Sequence, residues 1–292
     1  MFPDDAAAER WFESQRWPTG RYCPECGSVN TVPVKSRKPM PYRCRDCRAH
    51  FSVKKGTVMQ SSNLGLQKWA IALYLATTGI KGTASMKVYR DIGMRQATAW
   101  HLMHRIREAF DDNAGLPFPG PVEADETYIG GKEKNKHASK KLKVGGGTGG
   151  KVAVAGVRDR DSKQVSAAVV ENTDGDTLKG FVAERTEKGA TVYTDDARAY
   201  RGMKDRAHAT VRHSAGEYVR GEAHTQGIEA LWAIFKRGLH GTFHHVSEKH
   251  LPRYVREFAG RHNIRDLDTL AQMSLLARGM VGKRLRYRDL VA

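Results

Sequence analysis

The stretch GLPFPGPVEADETYIGG, Gly115 to Gly131, divides the chain into what comes before a sheet and the sheet itself. Pro117, Pro119 and Pro121 mark a domain boundary, because proline lacks a backbone donor and interrupts regular structure. A strand is expected to begin near Val122 and to carry Glu123, Asp125 and Glu126. Neighbouring strand residues point to opposite faces, so Asp125 is ranked above Glu123 and Glu126.

The segment that follows, GGKEKNKHASKKLKVGGGTGG, has seven glycines and six lysines and no apolar period. It reads as a mobile basic loop; neither a Walker pattern nor Gly-x-Gly-x-x-Gly is present. KVAVAGVRDRD and KQVSAAVVEN then read as a hairpin turning near Asp161 and Ser162. DGDTLKGFVAERT reads as a helix with Leu178, Phe181 and Val182 on one face, and ATVYTDDARAY as a short strand ending in Asp195 and Asp196. In HTQGIEALWAIFKRG, residues 224–238, Ile228, Leu231, Trp232 and Phe235 share a helical face. Glu229 and Lys236 lie beside that face, two turns apart. A further helix is expected near Leu251, with Pro252 in its first turn and Leu251, Tyr254, Val255 and Phe258 inward.

Three strands, a helix, a strand and then helices give a mixed α/β sheet, the layout of ribonuclease H-like domains. Asp125 lies in the first strand, Asp195 ends the fourth, and Glu229 starts a helix packed across the sheet. Any one of these acids alone reads as a surface carboxylate; their joint placement is what matters. Converging, they could hold two divalent cations, Mg²⁺ or Mn²⁺, as phosphoryl-transfer sites do with ions about 3.5–4 Å apart. Lys236 would then meet a DNA phosphate. Of the histidines beyond it, His240, His244, His245 and His250, each fits an ordinary surface or hydrogen-bonded histidine better than a lining of the DNA path.

Upstream, Cys23, Cys26, Cys44 and Cys47 form Cys-x2-Cys-x17-Cys-x2-Cys. Two tight pairs at this spacing match a zinc ribbon holding one structural Zn²⁺. Disulfides are disfavoured in a reducing compartment, and a redox motif needs no second copy. Lys35, Arg37, Lys38, Arg43, Arg45, Arg48, Lys54 and Lys55 give the ribbon a basic surface. Next, Leu66–Thr78 reads as a helix with Leu66, Trp69, Ala70 and Leu73 on one face. A short helical piece, a turn at Gly93 and a helix burying Ala99, Leu102, Met103, Ile106 and Phe110 complete a helix-turn-helix pattern. Arg95, Gln96, Thr98, His101 and Arg105 are expected outward, where they would reach bases and phosphates. Periodicity alone fits a plain helical bundle equally well, and charge favours DNA.

That charge is the strongest global signal. Lys plus Arg number 49 against 32 Asp plus Glu, a net +17 in 292 residues. Small domains typically carry a magnitude of about 2–8, so a polyanionic partner is expected. No stretch approaches the roughly 18 apolar residues of a membrane span, and the first residues lack a signal-peptide pattern. A cytosolic, DNA-bound protein is the expectation.

VEADETYIGGK, YTDDARAY and HTQGIEALWAIFKRGLHGTFHHVSEKHLPRYVREFAGRHN resemble the core of bacterial insertion-sequence transposases of the DDE class. The ribbon and ATAWHLMHRIR resemble a subgroup of that class with an N-terminal zinc ribbon, so the likeness spans about residues 20–265. It implies a ribonuclease H-like domain, Mg²⁺-dependent DNA cleavage and strand transfer, and recognition of terminal inverted repeats. Carried over by motif, Asp125, Asp195 and Glu229 are the catalytic triad, and Lys236 is the lysine two turns beyond the Glu. Gln226 stands where the family often has Asn, and it joins Lys236 and Arg237 as a DNA-binding candidate. Cleaving two transposon ends and joining them to target DNA implies a homodimer or higher oligomer.

The expected domains are a zinc ribbon at 1–60, a helix-turn-helix-like domain at 61–115, a ribonuclease H-like catalytic domain at 116–265 and a basic C-terminal tail at 266–292, flexible or partner-bound. Two rival readings are a DNA-binding regulator with a lapsed catalytic core and a structure-selective nuclease of the same fold.

Overall fold

The computed structural model describes residues 2–110, 115–131, 137, 139, 148–195, 198–211 and 224–292. The chain forms two compact units, Met1–Phe110 with Ile264–Ala292, and Asp111–Asn263. Asp196 and most of the Lys/Gly-rich segment lie outside the described residues. Among those described, no helix is long and apolar enough to cross a membrane.

The first unit opens with α1 (Asp5–Arg16), which the sequence reading did not anticipate. Asp4 caps it by accepting from the Ala7 N–H, and Ala8 and Phe12 are buried on its inner face. Three short antiparallel strands follow: β1 (Thr31–Pro33), β2 (Tyr42–Cys44) and β3 (His50–Phe51). Then come α2 (Leu66–Thr78), α3 (Ser85–Ile92) and α4 (Gln96–Arg107). Gly93 ends α3 at φ 64°, the left-handed position that favours glycine. Ala99, Leu102, Met103, Ile106 and Phe110 are all buried, as the helical period implies.

Residues 266–292, read as a flexible or partner-bound basic tail, instead fold into this unit. Asp268 caps α8 (Thr269–Gly279), whose Met273, Leu276 and Ala277, with Met280 just beyond, join the same core as α1, α2 and α4. The Val58 N–H donates to the Met280 carbonyl, the Gly282 N–H donates to the Gly56 carbonyl, and Thr57 bridges Val281. A short helix, α9 (Tyr287–Val291), closes the chain with Leu290 buried. Lys283, Arg284, Arg286 and Arg288 drew attention to charge, while the apolar positions spaced through 273–290 decided the packing.

The second unit is a five-stranded mixed sheet of β4 (Val122–Ile129), β5 (Val152–Asp159), β6 (Val165–Val170), β7 (Thr191–Asp195) and β8 (Ala207–Val211). Its order is β6-β5-β4-β7-β8. β4–β5 and β5–β6 are antiparallel, while β4–β7 and β7–β8 are parallel. β8 falls in the stretch that the sequence left without an element. Along β5, Val154 packs towards α6 (Gln226–Gly238) and α7 (Leu251–Asn263), whereas Ala155 and Val157 pack towards α5 (Gly175–Arg185). Pro252 occupies the first turn of α7, as expected.

Met280 is fully buried in the first unit. Met280→Ala should therefore cost about 2–5 kcal/mol, the usual range for emptying a buried methionine site. Urea unfolding of the full chain measures this; an unchanged midpoint would mean that the segment does not pack there.

Candidate functional site

Asp125 sits mid-way along β4, the central strand, and Asp195 is the last residue of β7. The parallel pairing sets Val122 beside Val192 and Glu123 beside Tyr193. Continuing that offset two residues brings Asp125 level with Asp195 on the neighbouring strand. Adjacent strands lie about 4.8 Å apart. Glu229 enters from α6, in its first turn. The Asp125 carboxyl is pushed up to about 7, first by burial and then by the negative charge of Glu126, Asp195 and Glu229. These acids therefore share one electrostatic environment.

Each has a defined neighbour. The Trp232 indole N–H donates to Asp125 Oδ2 at 3.1 Å, and the Thr225 hydroxyl donates to Glu229 Oε1 at 2.8 Å. On the opposite face of β4, the buried Tyr200 hydroxyl donates to Glu126 at 2.8 Å. Burial lifts the Glu126 carboxyl, and that hydrogen bond opposes the rise. Gly156 pairs with Asp125 across β4–β5. A Cβ on Gly156 would lie 2.7 Å from Trp232 Cζ2, so only glycine lets the indole lie flat enough against the sheet to reach Asp125.

Glu123, two residues before Asp125 on the same face, is fully buried. Its Oε2 accepts the Ile228 N–H at 2.8 Å, and its Oε1 meets Arg158 Nη1 at 3.3 Å and Arg160 Nε at 3.1 Å. Arg160 also donates to the His224 carbonyl at 2.6 Å and lies 4.0 Å from the centre of the Tyr193 ring. Together these bonds clamp the start of α6. Gly227 leaves room for them, because a Cβ there would collide with Arg158 and lie 2.7 Å from Glu123 Oε2.

The other candidate centre is the cysteine set in the ribbon. The Cys23 and Cys47 sulfurs are 3.6 Å apart, and those of Cys26 and Cys44 are 3.7 Å apart. Zn–S bonds of about 2.3 Å in a tetrahedron require sulfurs about 3.8 Å apart. Among the described residues, these cysteines are the one group of such ligands whose donor atoms all lie within 4.8 Å of one another; the carboxylates are spaced more openly. The Cys47 N–H and then the Asp46 N–H hold the Cys44 thiol down at about 7, against burial that raises it. Asp46 in turn ties the two knuckles together by accepting from Ser28 and Asn30. The set fits a structural zinc.

Residues 117–263, just over half of the chain, match the ISXO2-like transposase domain. The chain belongs to this family of insertion-sequence transposases. Residues 3–50 match a transposase zinc-ribbon domain. An uncharacterised protein in the transposable element ISH50 of Halobacterium salinarum is 28% identical over 279 residues, covering 90% of this chain and 92% of its own.

The transposase differs from its sequence reading in the α4 residues expected outward. Arg95 and Gln96 are exposed and Thr98 is half-buried. Arg105 is buried: its guanidinium donates to the Gln60 carbonyl and stacks 5.4 Å from the Trp69 ring centre, and burial draws it down to about 10. His101 is half-covered by the C-terminal segment, with Nε2 3.3 Å from the Leu285 carbonyl and Tyr287 edge-on at 5.5 Å. Helical counting could not see that residues 281–290 return over α4. Lys54, expected on the ribbon surface, is half-buried and donates to the Ser62 and Leu64 carbonyls. Gln226, Lys236 and Arg237 are exposed on α6.

The clamp of Glu123, Arg158 and Arg160 and the Trp232–Asp125 bond were not read from sequence. One signal was available: an isolated glycine, Gly156, inside a Val/Ala-rich strand marks a close approach.

The purified transposase should carry about one zinc per chain, and Cys44→Ser should lose it; elemental analysis decides. Glu123→Ala removes the acceptor that the Ile228 N–H shares with two largely covered guanidinium groups and should cost about 1–3 kcal/mol. Glu123→Gln, which keeps an acceptor for the Ile228 N–H, should cost less. Chemical denaturation of both variants measures the difference, and equal, small losses would remove the clamp from α6.

Proposed function

We propose that this protein is a DDE-type enzyme that cuts DNA at the terminal inverted repeats of an insertion sequence and joins the cut ends to target DNA. The observation that supports the reading is the upward shift of Asp125, to which Asp195 and Glu229 both contribute after burial and Glu126, together with a β4–β7 register whose continuation would set Asp125 beside Asp195. The sheet order, with three antiparallel strands followed by two parallel ones, supports a ribonuclease H-like catalytic domain.

The carboxylates fit hard divalent cations, which take oxygen donors. Burial first, and then the negative charge of its neighbours, lifts Asp125, and a cation would offset that charge. Asp125, Asp195 and Glu229 would hold two Mg²⁺ or Mn²⁺ ions, which when bound supply activation of an attacking oxygen and stabilisation of a leaving one. The chain's own residues do the rest. Trp232 orients Asp125, the clamp on Glu123 sets the position of Glu229, and exposed Lys236 and Arg237 pair with DNA phosphates. Water cleaves a phosphodiester at the element end and leaves a 3′-hydroxyl. That hydroxyl attacks a target phosphodiester, so one such bond forms as another breaks.

In this reading, the zinc ribbon and α3–α4, as a helix-turn-helix, grip the ends through Arg95, Gln96 and Thr98, with Gln226 near the cut strand. The net charge of +17 supplies the attraction. Two ends call for two or more copies of the chain, working on nucleoid DNA in the cytoplasm.

Labelled terminal-repeat DNA with Mg²⁺ or Mn²⁺ tests the reading. The wild type should nick at the repeat boundary, and Asp125→Asn should bind the DNA without nicking it. Equal cutting by the variant would refute the metal-site assignment. Binding without cutting by the wild type would favour a regulator, and cutting of branched DNA without regard to end sequence would favour a structure-selective nuclease.

A further inference from the structure

A second feature of the sheet unit stands apart from the carboxylates. A cavity of about 730 Å³ opens where β4 ends and α6 runs out. Lys151, Lys236, His240, His244, His245 and Tyr128 line it. None of its described lining residues is acidic. Its size falls in the range of clefts that hold small organic ligands, about 300–1,000 Å³, which suits a nucleotide unit.

The backbone beside this cavity is unusual. α6 passes into a π-helical turn, Leu239–Phe243, a form often found at functional sites. His244 follows at φ 60° and ψ −46°, a conformation that side-chain-bearing residues rarely adopt. Its Nδ1 donates to the His240 carbonyl at 3.1 Å, which leaves Nε2 for another partner. Strain of this kind persists only where the surroundings hold it, and here it places His244 on the cavity wall. Gly130 and Gly131 add backbone to the wall, and a Cβ on Gly131 would meet nothing within 4 Å.

The cavity lies at a definite distance from the acids. Tyr128 is three residues beyond Asp125 on β4, about 10 Å at roughly 3.3 Å per residue. Lys236 is seven residues beyond Glu229 on α6, about 10.5 Å at roughly 1.5 Å per residue. Successive phosphates of a strand lie farther apart than its axial rise of roughly 3.4 Å, so both routes correspond to about one to two nucleotide steps.

We infer that this cavity is a backbone-phosphate site for a DNA strand, built from Lys151 and the histidines in and just after the π-helical turn, about one to two nucleotides from the bond held at the carboxylates. The spacing rests on the proposed catalytic reading; the binding does not. Two lysines, with no acidic residue among the described lining, favour a polyanion over a peptide or a neutral metabolite, and the chain's overall charge points the same way.

The test uses the full chain, a fluorescein-labelled ten-nucleotide oligothymidylate and no divalent metal, so cleavage plays no part. Anisotropy titrations over a range of NaCl concentrations give affinity and its salt slope. Lys151→Ala, and separately a His240/His244/His245→Ala triple variant, should bind more weakly. Lys151→Ala should make the salt slope shallower by about 0.7 for one lost phosphate contact, about five-fold less change per decade of salt. Lys188→Ala, an exposed lysine away from the cavity, should keep the wild-type slope. Thymidine monophosphate at millimolar concentration should not displace the oligonucleotide; displacement would make the site a mononucleotide pocket and overturn the strand assignment. Wild-type slopes and affinities in both cavity variants, or an equal loss in Lys188→Ala, would overturn the site as well. Single neutral methylphosphonate links along the terminal-repeat strand locate the contact. The link whose penalty disappears in Lys151→Ala should fall about one to two nucleotides from the cut, and a position elsewhere would overturn the spacing. Failure of Asp125→Asn to behave as expected in cleavage would leave these binding results standing, so the two readings fail separately.

Discussion

A buried carboxylate holds the sheet unit in register with its most important helix. Glu123 has no exposed surface, and a charge removed from water in this way persists only with partners that replace its hydration. Those partners come from three directions. Arg158 and Arg160 reach in from β5 and the turn after it, and the Ile228 N–H comes from the first turn of α6. An N–H at a helix start has no partner within its own helix and carries partial positive charge, so a carboxylate is the acceptor it favours. Glu229 is the next residue along. With Glu123 and Asp125 two apart on one face of one strand, the bond that fastens α6 also sets where Glu229 stands relative to Asp125.

The second contact in this frame depends on a missing side chain. Gly156 lies opposite Asp125, and the Trp232 ring takes the space that a Cβ would fill. The large indole contributes apolar burial, and its N–H still finds the carboxylate, as buried tryptophans generally require. Glu123 and Gly156 thus control two successive turns of α6, one through charge and the other through volume. Neither has to touch DNA to affect how the acids are presented.

How much of this was visible in the sequence depended on whether the signal was local. The strands from Val122, Val152 and Val165, the helix carrying Leu178, Phe181 and Val182, and the buried face of α6 all follow from period and from the turns between them. The offset between Asp125 and Asp195 could also be proposed, because a strand's alternation permits only a few registers. Arg105 was misjudged because helical spacing reports which side of α4 a residue occupies, not what later covers that side. Arg105 meets Gln60 and Trp69, and His101 meets Leu285 and Tyr287, all distant from α4 in sequence, and the basic residues of 283–288 masked Leu285 and Leu290, which are buried. β8 was missed because Ala207–Val211 mixes small, polar and β-branched residues with no clear alternation. The clamp on Glu123 needed three distant segments to be placed together, which no window of sequence contains.

The two candidate metal centres differ in how closed they are, and the chemistry of their donors accounts for it. Thiol groups are neutral when protonated, so four sulfurs can be brought to tetrahedral spacing by knuckle backbone alone, with N–H groups already turned towards Cys44. Ionised carboxylates repel one another, so strands and a helix can bring them to one face but not into contact, and the Asp125 carboxyl is lifted first by burial and then by the charge of its acidic neighbours. A closed sulfur site suits a zinc that stays and folds the ribbon. An open carboxylate site beside a lysine-bearing cavity suits a catalytic face that is completed only when cations and a phosphate backbone arrive together. On the proposed reading, Lys236 and its neighbours would accept the negative charge of DNA at one end of α6, while the carboxylates at the other end would take the ions.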